Sequence, residues 1–227
     1  MARIARIVVP GLPHHVTQRG NRGERIFLEE GDYALYRDLL AGACRKAGVA
    51  VWAYCLMPNH VHLILVPDDA AGLARALADA HRRYAGFVNA RARQTGHLFQ
   101  GRFSSVAMDE EHLIAAARYA SLNPVRAHLV RRAQDWAWSS VRAHLKGADD
   151  GLVTVRPLLE RVGRFAELLE DDDEAHFAAL RAAETIGRPL GSAAFLKRLS
   201  RRLGRNVEPR RPGRKPKGEQ AAGATDK

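Results

Sequence analysis

Tyr54-Cys55-Leu56-Met57-Pro58-Asn59-His60-Val61-His62-Leu63-Ile64-Leu65-Val66 is the stretch from which the rest of the chain is read. A β-rich run enters a Pro-Asn turn and leaves as a second apolar run, the sequence form of a hairpin. Side chains alternate faces along a strand, so His60 and His62 share one side while Val61, Leu63 and Leu65 share the other. Two imidazoles side by side on a rigid strand make half of a divalent-metal site and leave room for further ligands. Paired histidines are a weak motif alone, so the reading turns on a second element far downstream, around Tyr119.

Upstream of the hairpin, residues 13–19 alternate as a strand that puts His15, Thr17 and Arg19 on one face. They end at Gly20-Asn21-Arg22-Gly23, a flexible basic loop. Residues 32–47 carry helical spacing with Gly48 as a stop, and 49–56 read as a strand antiparallel to 60–66. Downstream, 68–93 form a long helix with an arginine-rich face. Residues 96–103 form a loop containing Phe99, Gln100, Gly101, Arg102 and Phe103, and 102–108 form a fourth strand. Asp109 caps a helix over 112–122, with Glu110 and Glu111 in its first turn, and Asn123-Pro124 ends it. The order β-α-β-β-α-β plus a helix predicts an α+β fold, the ferredoxin-like split βαβ antiparallel sheet. Such a fold hosts many functions and proves none.

Further helical stretches are expected to begin at Trp136 and over 155–170, 173–184 and 192–203, the last capped by Ser192. Trp136 and Trp138 are read as sealing the core. The expected organisation is a main α+β unit over 1–148, a helical extension over 149–205, and a disordered basic tail over 206–227.

The formal net charge is +11. Between 197 and 217 ten Lys/Arg face one acid, Glu208, which is +9 of that total and leaves about +2 elsewhere. Such a concentrated basic segment attracts polyanions, nucleic acid above all. No apolar run approaches the roughly 18–20 residues a membrane span needs. The two cysteines, Cys44 and Cys55, read as reduced packing residues. A cytoplasmic, nucleoid-associated protein is expected.

Tyr119 and Asn123 lie four apart and therefore on one helix face. A phenol and an amide oxygen so placed could meet His60 and His62 across the sheet. The two histidines and the amide would hold Mg²⁺ or Mn²⁺ with open positions, and the ion would offset charge growing on a phosphodiester. Tyr119 would be the nucleophile, with Arg118, Arg126 and Arg102 as candidates for steadying phosphate charge.

Leu56-Met57-Pro58-Asn59-His60-Val61-His62 combined with Arg118-Tyr119-Ala120-Ser121-Leu122-Asn123-Pro124-Val125-Arg126-Ala127 resembles the single-tyrosine His-hydrophobic-His transposases, IS200-like and REP-associated tyrosine transposases in particular. Val16-Thr17-Gln18-Arg19-Gly20-Asn21-Arg22, Gly101-Arg102-Phe103 and Trp138-Ser139-Ser140 match the same pattern. The resemblance spans about residues 10 to 145. It implies a nuclease that recognises structured single-stranded DNA and cuts one strand by tyrosine attack. A 5′-phosphotyrosine and a free 3′-hydroxyl result, and reversal rejoins strands. Carried onto this chain, it makes Tyr119 the nucleophile and His60, His62 and Asn123 the metal ligands. Ala120 and His128 depart from the family's usual residues at positions that concern packing.

DNA contacts are expected from Arg19, Asn21, Arg22, Arg102 and Arg126, and from Arg210, Arg211, Arg214 and Lys215 in the tail. Single-stranded or hairpin DNA is the expected partner, with monomer or homodimer left open. A histidine-triad hydrolase is excluded because Ile64 occupies the third alternate place. A structural zinc site is disfavoured because neither cysteine has suitable spacing. The alternative from another class is a non-catalytic DNA-binding protein.

Overall fold

Alternation in the hairpin is realised as two long strands, β2 (Val49–Met57) and β3 (His60–Pro67), with Met57 opposite His60. β1 (His14–Arg19) pairs with the other edge of β3, and β4 (Ser104–Ala107) with β1. The sheet order is β2-β3-β1-β4 and every pairing is antiparallel, which is the expected ferredoxin-like arrangement. This computed structural model describes residues 6–170 and 174–208.

One face of the sheet carries α1 (Glu30–Ala47) and α2 (Gly72–Ala92), packed on Val61, Leu63 and Leu65. α1 starts in a capping box between Glu29 and Asp32 and stops at Gly48, whose φ of 64° suits a residue without Cβ. α2 begins later than residue 68 because the Asp69 carboxylate accepts the Ala71 N–H at 2.8 Å, holding the chain in a turn first. β4 is shorter than expected, since the preceding loop crosses the end of β1. There Gln100 N–H donates to the Arg19 carbonyl, and Gly20 pairs with Phe99.

The opposite face carries α3 (Glu110–Arg126), with Ile64 and Val106 beneath it. Asp109 caps it by accepting the His112 N–H. The expected stop at Asn123-Pro124 is corrected: α3 runs through Pro124 to Arg126. Proline forfeits one N–H, but the Asn123 carbonyl still accepts from Ala127 and that of Pro124 from Leu129, so helical bonding resumes beyond the ring. Asn123 therefore stays one turn from Tyr119.

Residues 136–139 are not helical, another correction. Leu56 N–H donates to the Trp138 carbonyl, Ser140 N–H donates to that of Tyr54, and Cys55 bridges Ser139, so a turn at 137–138 is tied to the β2 edge. Trp138 stacks on Tyr33 at 5.0 Å, in the sealing role expected of it. The helix α4 (Val141–Lys146) starts only afterwards. The expected helix over 155–170 is two, α5 (Arg156–Val162) and α6 (Phe165–Leu168), separated by Gly163 with φ of 65°. α7 (Glu174–Ile186) packs on α3 through Phe177, Leu180 and Ala183, and α8 (Ala193–Leu203) packs over Ile7, Val9 and Ala107. Ser192 caps α8 as the sequence suggests. Cys44 and Cys55 are buried and unpaired as disulfides.

Candidate nuclease site

The site lies where β1 and β3 run side by side beneath α3 and α7. Register places Thr17 opposite His62 and Arg19 opposite His60, so all four point to the same face. His60 and His62 bring their Nε2 atoms to 3.0 Å from each other, and the Asn123 amide reaches His62 Nε2 at 2.9 Å. Two nitrogens each about 2.1 Å from one ion and at right angles to it stand about 3 Å apart, so this spacing is the one a shared octahedral cation requires. Which amide atom of Asn123 faces the ring is an assignment, and a half-turn presents the oxygen.

Both imidazoles are neutral. Burial pushes His60 down to about 4, with the charge of Arg19 adding to the effect. His62 is held well below its ordinary range by burial, then by His60, His15 and Arg19. Neutral rings keep a lone pair for a metal. The proton on His60 is located by its neighbours. Asn59 Nδ2 donates to the Gly23 carbonyl at 3.0 Å, which turns Asn59 Oδ1 toward His60 Nδ1 at 2.6 Å. His60 Nδ1 must then carry the hydrogen, and its Nε2 is bare. The donor set suits a hard-to-borderline divalent ion with open positions.

Tyr119 meets this pair as the helical spacing predicts. Its ring lies edge-on to His62 with centroids 5.3 Å apart. Tyr119, His60 and His62 line one cavity of about 330 Å³ together with Thr17, Gln18, Arg19, Arg181 and Glu184. Burial raises the Tyr119 phenol, the charge of Glu184 raises it further, and the Arg181 guanidinium hydrogen-bonded to it opposes both. On the other side of His60 a second groove of about 300 Å³ runs between Arg25, Asn59, Asn123 and Leu129.

Other expected residues fall differently. Arg19 lines the cavity, whereas Asn21 and Arg22 stand exposed on a 3₁₀ turn at its rim, Arg22 with a positive φ of 55°. Gly20 before them sits where a Cβ would fall 2.2 Å from the Glu24 carbonyl oxygen, so the turn needs its bareness. Arg102 is exposed on the neighbouring loop. Arg126 pairs with Glu174 at 2.6 Å, and Arg118 donates to the Leu168 carbonyl. Those two arginines bind α7 and the chain before it. Arg210, Arg211, Arg214 and Lys215 lie outside the described residues. Arg25, Arg181 and Glu184 were not anticipated. His15, which shares a strand face with Arg19, lies against His62.

The sequence pattern described as "Transposase IS200 like" matches residues 9–122. The chain belongs to the IS200-like transposase family. The match runs from β1 to the end of the Tyr119 turn, so α7 with Arg181 and Glu184 lies beyond it. A solved complex of a REP-associated tyrosine transposase with a REP hairpin shares the fold at a TM-score of 0.56 and 19% identity, covering 68% of this chain and 92% of that one. A putative transposase from Deinococcus radiodurans is 21% identical, covering 52% of this chain and 95% of its own, with a TM-score of 0.38. Comparison with curated proteins found no match. As an IS200-like transposase this protein is an enzyme acting on DNA. Among the described residues no helix is long and apolar enough to cross a membrane.

Proposed function

We propose that this transposase cuts and rejoins one strand of single-stranded, hairpin-bearing DNA through a 5′-phosphotyrosine on Tyr119, with a divalent ion held by His60, His62 and Asn123. The observation that carries the reading is the shared cavity: the Tyr119 ring sits 5.3 Å from that of His62, and both histidines open into the same space. A Mg²⁺ or Mn²⁺ ion held there would polarise a non-bridging phosphate oxygen and offset charge that grows during the displacement. The Tyr119 oxygen gives up its proton and attacks phosphorus. The bond from phosphorus to the 3′-oxygen breaks with its electron pair, and that oxygen takes a proton to become a free 3′-hydroxyl. Arg181, hydrogen-bonded to the phenol, favours its deprotonated form against the burial that raises it. The ester keeps the energy of the cleaved bond, so a second strand's 3′-hydroxyl can reverse the step without a nucleotide.

The strand is proposed to pass the rim formed by Arg19, Asn21, Arg22, Arg25 and Arg102, with the tail residues Arg210, Arg211, Arg214 and Lys215 adding phosphate contacts. The nuclease unit of residues 1–148 supplies the nucleophile and ligands, and the extension over 149–205 supplies α7 as a wall of the cavity.

The test is incubation with a hairpin-bearing oligonucleotide and Mn²⁺, followed by denaturing electrophoresis. Wild-type protein is expected to give an SDS-resistant protein–DNA adduct and Tyr119→Phe none. Identical behaviour of the two, with DNA binding retained, would leave a binding protein and overturn the reading.

A further inference from the structure

Behind His62, away from the ligand nitrogens, stands a second imidazole with a carboxylate behind it. His15 is wholly buried on β1, its ring nearly parallel to that of His62 (9°) with centroids 5.2 Å apart. His15 Nε2 lies 3.1 Å from His62 Nδ1. Its other nitrogen, Nδ1, faces Glu184 Oε1 of α7 at 3.4 Å. Those two facing atoms are buried, and among the described residues neither has another hydrogen-bond partner. Each is therefore the natural partner of the other, a short side-chain adjustment away from a full bond.

Proton bookkeeping gives the arrangement a direction. For His62 to present a bare Nε2 beside that of His60, its hydrogen must be on Nδ1, where the His15 Nε2 stands. His15 can accept that hydrogen only if its own sits on Nδ1, and there the group facing it is the Glu184 carboxylate. The junctions from Glu184 to His15 and from His15 to His62 are then each filled by one donor and one acceptor, and the two Nε2 lone pairs are left for the ion. The opposite order would spend the His62 Nε2 hydrogen on His60 and close the place an ion needs. It also requires a protonated Glu184, and burial raises that group only to about 7, so above that pH Glu184 is an acceptor. His15 turns a different nitrogen to each neighbour, Nε2 to His62 and Nδ1 to Glu184, so its contacts here are those of a bridge. The three residues also form the cluster of potential ligands seen among the described residues.

We propose that Glu184 and His15 are positioning residues, a carboxylate–imidazole relay that fixes the tautomer and ring orientation of His62 so that its Nε2 lone pair faces the ion. The inference rests on the reading of His60 and His62 as ligands, and it assigns a role in that site to α7, which lies beyond the residues that match the family pattern. Outer partners of this kind typically change metal affinity ten- to a hundredfold.

The test is long-range ¹H–¹⁵N NMR of the metal-free full chain with labelled histidine, paired with Mn²⁺ titration. In the wild type His62 is expected as the Nδ1–H tautomer. Glu184→Gln keeps an acceptor oxygen toward His15, so it should keep that tautomer and bind Mn²⁺ within about threefold of wild type. Glu184→Leu and His15→Phe should release the tautomer and weaken Mn²⁺ binding by about ten- to a hundredfold. A wild-type His62 protonated on Nε2, or a Glu184→Leu protein matching wild type in both readouts, would overturn the relay. Failure of the ligand reading looks different: His60→Ala would then bind Mn²⁺ as tightly as wild type.

Discussion

Val61, Leu63 and Leu65 leave β3 for a core that holds Phe27, Tyr36 and Tyr84, while His60, His62 and Ile64 leave the same strand for the other side. On the first side Tyr84, Tyr36 and Asp32 are closed, and the Ser105 hydroxyl is left without a partner among the described residues. The Tyr84 hydroxyl donates to the Ile26 carbonyl at 2.7 Å, and Tyr36 meets His81 at 3.0 Å. Asp32 takes both arms of Arg91, at 2.6 and 2.8 Å. On the second side nitrogens that both need a proton or a cation stand 3.0 Å apart, and buried atoms of His15 and Glu184 lack a full bond. The first face satisfies its buried polar groups apart from the Ser105 hydroxyl, and the second leaves two facing groups short of a bond where function is expected. The lesson is that the second face keeps polar groups at little gain to the fold, which is what the proposed chemistry calls for.

The sharpest break between the faces comes from two variants measured side by side. His60→Ala should abolish the covalent adduct while moving unfolding free energy by only about 1 kcal/mol, the net worth of a part-buried hydrogen bond such as that to Asn59. Arg91→Ala should do the reverse. Asp32 is buried, and burial alone would raise its carboxyl; the Arg91 hydrogen bonds hold it below the usual range instead. Loss of that partner leaves a buried charge on the fold and should cost about 3 kcal/mol in a denaturant titration, with adduct formation retained in the folded fraction. Similar stability losses for both would erase the distinction.

Arg181→Leu comes next in size. The guanidinium, with a smaller share from the charge of Arg126, opposes the upward push on the Tyr119 phenol, so the single-turnover rate of adduct formation should fall on the order of a hundredfold. Melting temperature should stay close to wild type, since Arg181 is exposed on α7. An unchanged rate would remove Arg181 from the chemistry.

The two faces differ least in acid sensitivity, which they share, since His60 on the second is also held down to about 4. Burial pushes His81 and His14 down to about 4 from 6.5. Between those values the unfolded chain binds protons that the folded chain refuses, so stability is present above about pH 6.5 and is lost as pH falls toward 4. Thermal melts across that window should drop, and His81→Gln should flatten part of the slope. A melting temperature that rises on acidification would contradict the assignment.

Much of this was legible before any coordinates. Period-two alternation assigned His60 and His62 to one face and the leucines to the other, and helical spacing placed Asn123 with Tyr119. Pro124 misled, because the loss of one N–H is local and the carbonyls on either side found new donors. The helix expected from Trp136 starts only at Val141, because the backbone of Trp138 and Ser140 bonds to the β2 edge first. Arg181 and Glu184 were hidden by distance along the chain. The signal was present even so: Phe177, Arg181 and Glu184 are spaced four and three apart, a stripe that puts two charges beside buried apolar positions.

The most direct test of the claim that the sheet's imidazole pair holds the ion within reach of Tyr119 is an anomalous diffraction map from Mn²⁺-soaked crystals. A peak about 2.2 Å from both His60 Nε2 and His62 Nε2, on the cavity side lined by Tyr119, is the expected result. A peak between His15 and Glu184, or none near His60 at saturating Mn²⁺, would contradict it.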